Sequence, residues 1–236
     1  YPYLTYDNGL LWRGLVELDR LARRAGLDEV AARAGQTAAR LREALLARCV
    51  VPGPFGPMFA WAVDGQGRFV LYDDPPGSLQ LLGALGVCPA DDPVLLNTIR
   101  WVHSPHNPHR YRGRFGEAGC AHSPHPWPMA AANTLRALAA LGWSARTEAA
   151  PTEAAPTEAA PAPAASRGVP PDLVALGRHA LAMLEQAPMD GGLVCETVDP
   201  DTGKARTGAA FATAAGYVAW VLGETTGLMP AAAPRG

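Results

Sequence analysis

Side chains that could transfer protons, bond to ligand hydroxyls or stack on a flat ligand collect in four stretches. These are Tyr6-Asp7-Asn8, Trp61 to Asp74, His103 to Trp127, and Cys195-Glu196-Thr197. The carboxyls of Asp7, Asp64, Asp73, Asp74 and Glu196 offer acid–base chemistry. His103, His106, His109, His122 and His125 offer either metal ligation or hydroxyl bonding. Pro105, Pro108, Pro124 and Pro126 prevent a helix that would align the imidazoles. No H-E-x-x-H arrangement occurs, and Cys49, Cys88, Cys120 and Cys195 form no CxxC pair. No metal and no other cofactor is therefore expected, and His106 and His125 fit a hydroxyl-bonding role, because imidazole can both donate and accept. A G-x-S-x-G elbow and a glycine-rich phosphate loop are both absent from the sequence.

Each candidate also has a purely structural reading. Asp7 can belong to a turn entering a helix that Asn8 caps. Glu196, beside Leu193 and Val194, can be a surface residue on a short strand. Asp73-Asp74 can be a polar stop after a strand, and Asp64 with Gly65 is first of all a turn. Trp61, Trp127 and Tyr111 can be core aromatics or a stacking platform.

The elements that must position these residues are mostly helical. Leu11, Leu15, Leu18, Ala22 and Ala25 recur every three or four residues between Asn8 and a stop at Gly26. A second helix, capped by Asp28, carries Val30, Ala34, Ala38, Leu41 and Leu45 on one face, so the two should pack as an antiparallel hairpin. Val51 to Pro57 reads as a loop, and Met58–Val63 and Arg68–Tyr72 read as a β-hairpin around Asp64-Gly65-Gln66-Gly67. Helical character returns at Ser78–Leu85, at Asp92–His103 with a first-turn Pro93, and at Pro128–Leu141. Thr147 to Pro161 is three copies of Thr-Glu-Ala-Ala-Pro, within a disordered insertion expected over 147–166. Asp172 caps a helix through Leu184, and Thr207–Leu222 forms its partner. Between them, Gly192–Glu196 and Lys204–Thr207 bracket the turn at Asp199 to Gly203. The pattern is one of helical hairpins whose loops carry the chemistry, and loops at one end of such hairpins converge on a common cleft.

A formal net charge of -2 and a pI near 6.3 leave no electrostatic footprint for nucleic acid or an anionic membrane. No apolar run approaches a membrane span. The sequence opens at Tyr1 like the middle of a protein, without Met or a signal segment, so a truncated gene product is expected. Dispersed cysteines point to a reducing compartment, and a cytoplasmic location is expected. Nothing in the residues speaks to the oligomeric state.

Several stretches together resemble glycoside hydrolase family 125, the metal-independent exo-α-1,6-mannosidases. Phe59 to Gly67 is similar to that family's F-x-Y-E-V-D-G-F-G, and Asp73-Asp74-Pro75-Pro76-Gly77-Ser78-Leu79 to its D-D-A-N-V-P-S-L. Asp92-Pro93 with Asn97-Thr98, Pro124-His125 with Trp127-Pro128-Met129, and Gly192 to Glu196 followed by Arg206 continue the likeness in order. Cys195 stands where the family has His, and Thr207-Gly208-Ala209 where it has an aromatic pair.

The resemblance implies an all-α (α/α)6 toroid of helical hairpins with short β-hairpins in its loops. About seven helices are legible, so 1–236 is expected to be a single catalytic-type domain from the C-terminal part of the ring. An apolar face should then flank the first hairpin. The resemblance also implies removal of a terminal α-linked mannose from an oligosaccharide or glycoside by an inverting mechanism, with Asp7 as general acid and Glu196 as general base. Two such carboxyls stand roughly 6.5–9.5 Å apart to admit water. They are expected in one pocket, with Asp7 the more buried, floored by Asp73-Asp74 and rimmed by His125 and Trp127. The remaining substrate contacts would be Tyr6, Asn8, Trp61, Asp64, His106 and Arg206. Two alternatives stand beside this reading: a glucoamylase- or trehalase-like α-glucosidase on the same fold, and an inactive carbohydrate-binding remnant.

Overall fold

A computed structural model describes residues 1–145 and 168–226, so the repeat insertion lies outside the described residues. The chain divides into two compact units, Tyr1–Pro108 and a second beginning at His109. The fold is mostly helical, with seven α-helices among the described residues.

In the first unit, β1 (Tyr3–Leu4) leads directly into α1 (Thr5–Arg24). The helix begins three residues before the expected cap. The backbone N–H of Thr5 donates to the Trp61 carbonyl (2.9 Å), so a tertiary contact satisfies one of the orphan donors of the first turn. Asn8 is consequently inside the helix, its side chain donating to the Leu4 carbonyl (2.7 Å), and Asp7 sits in the first turn, where the helix dipole favours an acid. Gly26, at φ +71°, ends α1 as expected, with the Leu27 N–H closing onto Ala22 (2.9 Å).

α2 (Asp28–Arg48) packs back on α1 through the small buried residues Ala31, Ala34 and Ala38 together with Leu45. Asp28 is in its first turn rather than at its cap, which is Leu27. Leu10, Leu11, Leu18 and Leu21 of α1, with Leu27 and Val30, are exposed.

The Met58–Val63 run does not form one strand. β3 (Met58–Phe59) turns back on β2 (Val50–Val51), pairing Val50 with Phe59 and Val51, the first residue of the expected loop, with Met58. After a break at Ala60-Trp61, β4 (Ala62–Val63) enters another sheet, ordered β1-β4-β5 with β5 (Phe69–Val70). The turn between β4 and β5 is the expected one. Asp64 Oδ1 accepts the N–H groups of Gln66 (2.7 Å) and Arg68 (3.0 Å), while its other oxygen takes the Arg68 guanidinium (2.5 Å). A 3-10 turn at Leu79–Leu81 runs into the short α3 (Leu82–Leu85). α4 (Pro93–Val102) starts as its sequence dictates, with Asp92 accepting the Val94 N–H (2.8 Å) and Pro93 in the first turn. Met58, Phe59, Leu79, Leu82, Leu95, Ile99 and Trp101 form the core.

The second unit opens with an irregular stretch as far as Trp127. Then α5 (Pro128–Ala140), buried on almost every side, packs against α6 (Pro171–Gln186) and α7 (Ala212–Thr225). α6 starts after Pro170, leaving Asp172 in its first turn rather than at the cap, and α7 starts five residues later than its periodicity suggested. Between these helices, β7 (Ala205–Thr207) falls on its expected arm, but its partner β6 (Thr197–Val198) begins just after the expected Gly192–Glu196, because Thr197 and Val198 are the residues that pair with Thr207 and Ala205. All four cysteines are free and buried, and among the described residues no helix is long and apolar enough to cross a membrane.

Candidate functional site

In the first unit the strand-to-helix junction, the Ala60-Trp61 break and the Asp73-Asp74 loop meet at a depression of about 210 Å³. Leu4, Tyr6, Asp7, Trp61, Asp74, Pro76 and Gly77 line it. Four of the expected site residues are therefore brought together. Trp61 is braced edge-to-face by Tyr72, with ring centroids 4.9 Å apart. The Tyr6 ring lies against the bare Cα of Gly77, where a Cβ would stand 3.1 Å from the ring. Asp7 is exposed at this lip, which differs from the expectation that it is the more buried of the two carboxyls, because its position on the first turn of α1 points it outward.

Asp73 is placed differently from its neighbour. It is 1% exposed, and it accepts the Ser78 hydroxyl (2.9 Å) and the Leu79 N–H (2.8 Å). Burial pushes its carboxyl up to about 7 against those two bonds, with the charge of Asp74 acting in the same direction as burial. Asp73 thus holds the loop that presents Asp74, and it does not line the depression. Asn8 and Asp64 also lie away from it. They line a separate groove of about 480 Å³ with Tyr3, Leu41, Leu45, Arg48 and Gln66. The Asp64 carboxyl is committed to its turn, and the Arg68 bond and the turn N–H groups hold it down at about 2. His106 is exposed with its ring edge-on to Phe55 (5.9 Å), while His103 turns to Gln80 (3.0 Å), so these two imidazoles serve different partners.

In the second unit Glu196 is half-buried between Cys195 and Thr197, both fully buried. Its N–H is shared between the carbonyls of Thr207 (3.2 Å) and Gly208 (3.0 Å). The hairpin that carries it is stitched to the loop that carries His125 and Trp127. The Val198 N–H donates to the Pro126 carbonyl (2.9 Å), and the Ser123 and Thr207 hydroxyls are 3.1 Å apart. His125 is half-buried beside Tyr111. Trp127, expected at a rim, is 1% exposed. Its indole N–H donates to the Ser123 carbonyl (3.1 Å), and its ring meets His122 edge-on, so it acts as a core brace for the loop. Arg206 is exposed, with its guanidinium bound to Asp199 (2.6 Å). That bond and the N–H and hydroxyl of Thr202 hold the Asp199 carboxyl well below its usual range, the Thr202 backbone bond contributing most.

Ser123 carries no reading from the sequence, and Pro76, Gly77, Thr207 and Gly208 enter it within the family-like stretches, not as site candidates. Small residues and hydroxyls carry no distinctive spacing.

The family model of metal-independent α-mannosidases, GH125, matches residues 1–143. A curated relative, the meiotically up-regulated gene 157 protein of Schizosaccharomyces pombe, is 30% identical over 115 residues, which are 48% of this chain and 23% of that protein. Among solved structures, the fold is similar to a Streptococcus pneumoniae metal-independent α-mannosidase in a non-productive substrate complex with α-1,6-mannobiose. There the TM-score is 0.73 at 20% identity, over 97% of this chain and 48% of that one. It is also similar to a bacterial glucoamylase complexed with acarbose, with a TM-score of 0.61 at 19% identity, over 94% of this chain and 33% of that one. The chain thus spans less than half the length of each of these relatives. By the family model's match over more than half its residues, this chain belongs to the GH125 family, the metal-independent α-mannosidases.

Proposed function

We propose that the chain is the C-terminal part of a glycoside hydrolase catalytic domain that removes a terminal α-linked mannose with inversion. Asp7 protonates the glycosidic oxygen as it leaves. Glu196 takes a proton from the water that attacks the anomeric carbon from the opposite face. The observation that carries this reading is the depression in the first unit. A carboxyl (Asp7), an indole (Trp61), a phenol (Tyr6) and a second carboxyl (Asp74) surround a space on the scale of one sugar ring. An aromatic face takes the apolar side of a pyranose, while carboxylates accept its hydroxyls.

Asp7, exposed at the lip of the depression, would be covered by a sugar seated there. Glu196, half-buried on an anchored hairpin, keeps the access to water that a base requires. Asp74, His106, His125 and Arg206 are the further polar contacts of this reading, with Asn8 and Asp64 more remote from the depression and Asp73 and Trp127 acting through the loops they hold. The same reading takes 1–236 as a single catalytic-type domain interrupted by the 147–166 insertion. A cytoplasmic location fits the four free thiols.

Likeness to the acarbose-bound glucoamylase favours one second reading, an α-glucosidase on the same fold. Incubation with α-1,6-mannobiose and, separately, with maltose distinguishes them. Mannose release with maltose untouched is expected. Glucose release from maltose alone would replace the first reading by the second, and binding of either sugar without cleavage would leave only a carbohydrate-binding remnant.

A further inference from the structure

The hairpin bearing Glu196 is built more tightly than two short strands require, and the excess bonding is concentrated around that one residue. Gly208 has φ +54°, a conformation that suits glycine, and its Cα lies flat against the glutamate side chain. A Cβ on Gly208 would stand 2.6 Å from Glu196 Cβ and 3.3 Å from its Oε2. Any side chain there must displace Glu196, since both clashing atoms lie on the glutamate itself. Beneath the hairpin runs a chain of three hydroxyls. Thr197 Oγ1 is 2.6 Å from Thr207 Oγ1, which is 3.1 Å from Ser123 Oγ. Thr197 is fully buried and Ser123 5% exposed, so the two ends of the chain serve the protein interior, with the half-buried Thr207 between them. On the other side Cys195 Sγ donates to the Thr197 carbonyl (3.2 Å), and the Phe211 N–H closes the following loop onto the Val194 carbonyl (2.8 Å). Residues on both sides of Glu196 are therefore fixed, and the shared bond of its own N–H fixes the residue between them.

We propose that Gly208 and the Ser123–Thr207–Thr197 hydroxyl chain are positioning residues for Glu196, setting the place and direction of its carboxyl. This rests on the reading of Glu196 as the general base. A base that must remove a proton from one water, in line with one carbon, tolerates little displacement, and a shift near 1 Å lowers turnover by about a hundredfold. None of the four residues takes part in the chemistry. Gly208 acts by having no side chain, and the hydroxyls act by holding the two strands in one register. Thr207 links the two parts, since its carbonyl accepts the Glu196 N–H and its hydroxyl is the middle member of the chain.

The test uses the full chain and the variants Gly208→Ala, Thr207→Val and Thr207→Ser. Two readouts are taken. The first needs no activity: nuclear Overhauser contacts between the Glu196 side chain and the residue 208 α-proton report where the glutamate stands. The second is the split of kcat from KM on α-1,6-mannobiose. Gly208→Ala and Thr207→Val should lose the Glu196–208 contacts and lower kcat by about tenfold to a hundredfold with KM within about twofold. Thr207→Ser, which keeps the hydroxyl, should restore both. Wild-type contacts in folded Gly208→Ala and Thr207→Val would overturn the proposal, as would equal losses in Thr207→Val and Thr207→Ser. If the wild type cleaves no glycoside, the functional reading fails, and the magnetic-resonance arm alone decides the positioning claim. If Glu196→Gln turns over like wild type while the contacts behave as expected, Glu196 is positioned but is not the base.

Discussion

Replacing Asp73 by Asn removes a carboxyl that the first unit buries completely. In the fold that carboxyl sits up at about 7, against 3.8 as its ordinary value, chiefly because burial disfavours its charge. With a folded-state value above the unfolded one, its contribution to stability is fully present below about pH 3.8. It is lost as pH rises through about 7, because the unfolded chain releases the proton first. The full span corresponds to about 4 kcal/mol, and the linkage relation places about 2.5 kcal/mol of it between roughly pH 5 and pH 7.5. Asn cannot ionise and so carries none of this slope. It can accept only one of the two donors now bound, Ser78 Oγ and Leu79 N–H, which costs about 1–3 kcal/mol at the acidic end. Urea unfolding followed by far-ultraviolet circular dichroism at the two pH values measures both effects. Asp73→Asn should be the less stable protein near pH 5, and the gap should close by about 2.5 kcal/mol at pH 7.5. Wild type and variant losing stability in parallel over this window would refute the placement of Asp73 as a buried, protonated structural group.

Glu196→Gln should lower turnover by about a thousandfold or more while mannobiose binding, measured by calorimetry, stays within a few-fold, because the amide keeps the shape but cannot take a proton. Retained turnover would remove Glu196 from the mechanism. Two carboxyls supply all the acid–base work of this reading, so activity should survive exhaustive dialysis against EDTA. Loss on chelation with recovery on adding zinc would overturn it. Trp127→Ala should lower stability by about 3–5 kcal/mol in thermal unfolding, since a fully buried indole and its bond to Ser123 are both lost. A change under about 1 kcal/mol would mean that Trp127 does not brace its loop.

Much of this organisation is legible in the residue order where the physics is local. The helical character of α1 and α2 follows from the spacing of their apolar residues and the break from Gly26, although Leu11, Leu18 and Val30 of that spacing are exposed; the start of α4 follows from Asp92-Pro93, and the β4–β5 turn from Asp64-Gly65. The illegible features arise from partners distant in sequence. α1 begins at Thr5 rather than after Asn8 because the Trp61 carbonyl receives its first N–H. Met58–Phe59 leaves the expected strand because Val50–Val51 offers it an edge. The site shows the same division. Which residue types gather at Tyr6-Asp7, Trp61 and Asp74 could be read from the sequence, but which of two adjacent aspartates faces inward could not. Side-chain direction at Asp73 is decided by the Ser78 and Leu79 donors of a turn whose closure depends on the whole unit. Trp127 is a further case, since an indole beside a polar loop reads equally as a platform or as core until burial is known.

The proposed two-carboxylate inverting reaction is tested most directly by the anomeric form of the first sugar released. Proton magnetic resonance recorded during the first minutes of α-1,6-mannobiose cleavage, before mutarotation, resolves the two anomers of the mannose set free from the non-reducing end. A base that activates water on the face opposite the leaving oxygen yields β-mannose first, with the α anomer growing in only as mutarotation proceeds. Initial appearance of α-mannose, or no mannose at all from the folded chain, would contradict the account.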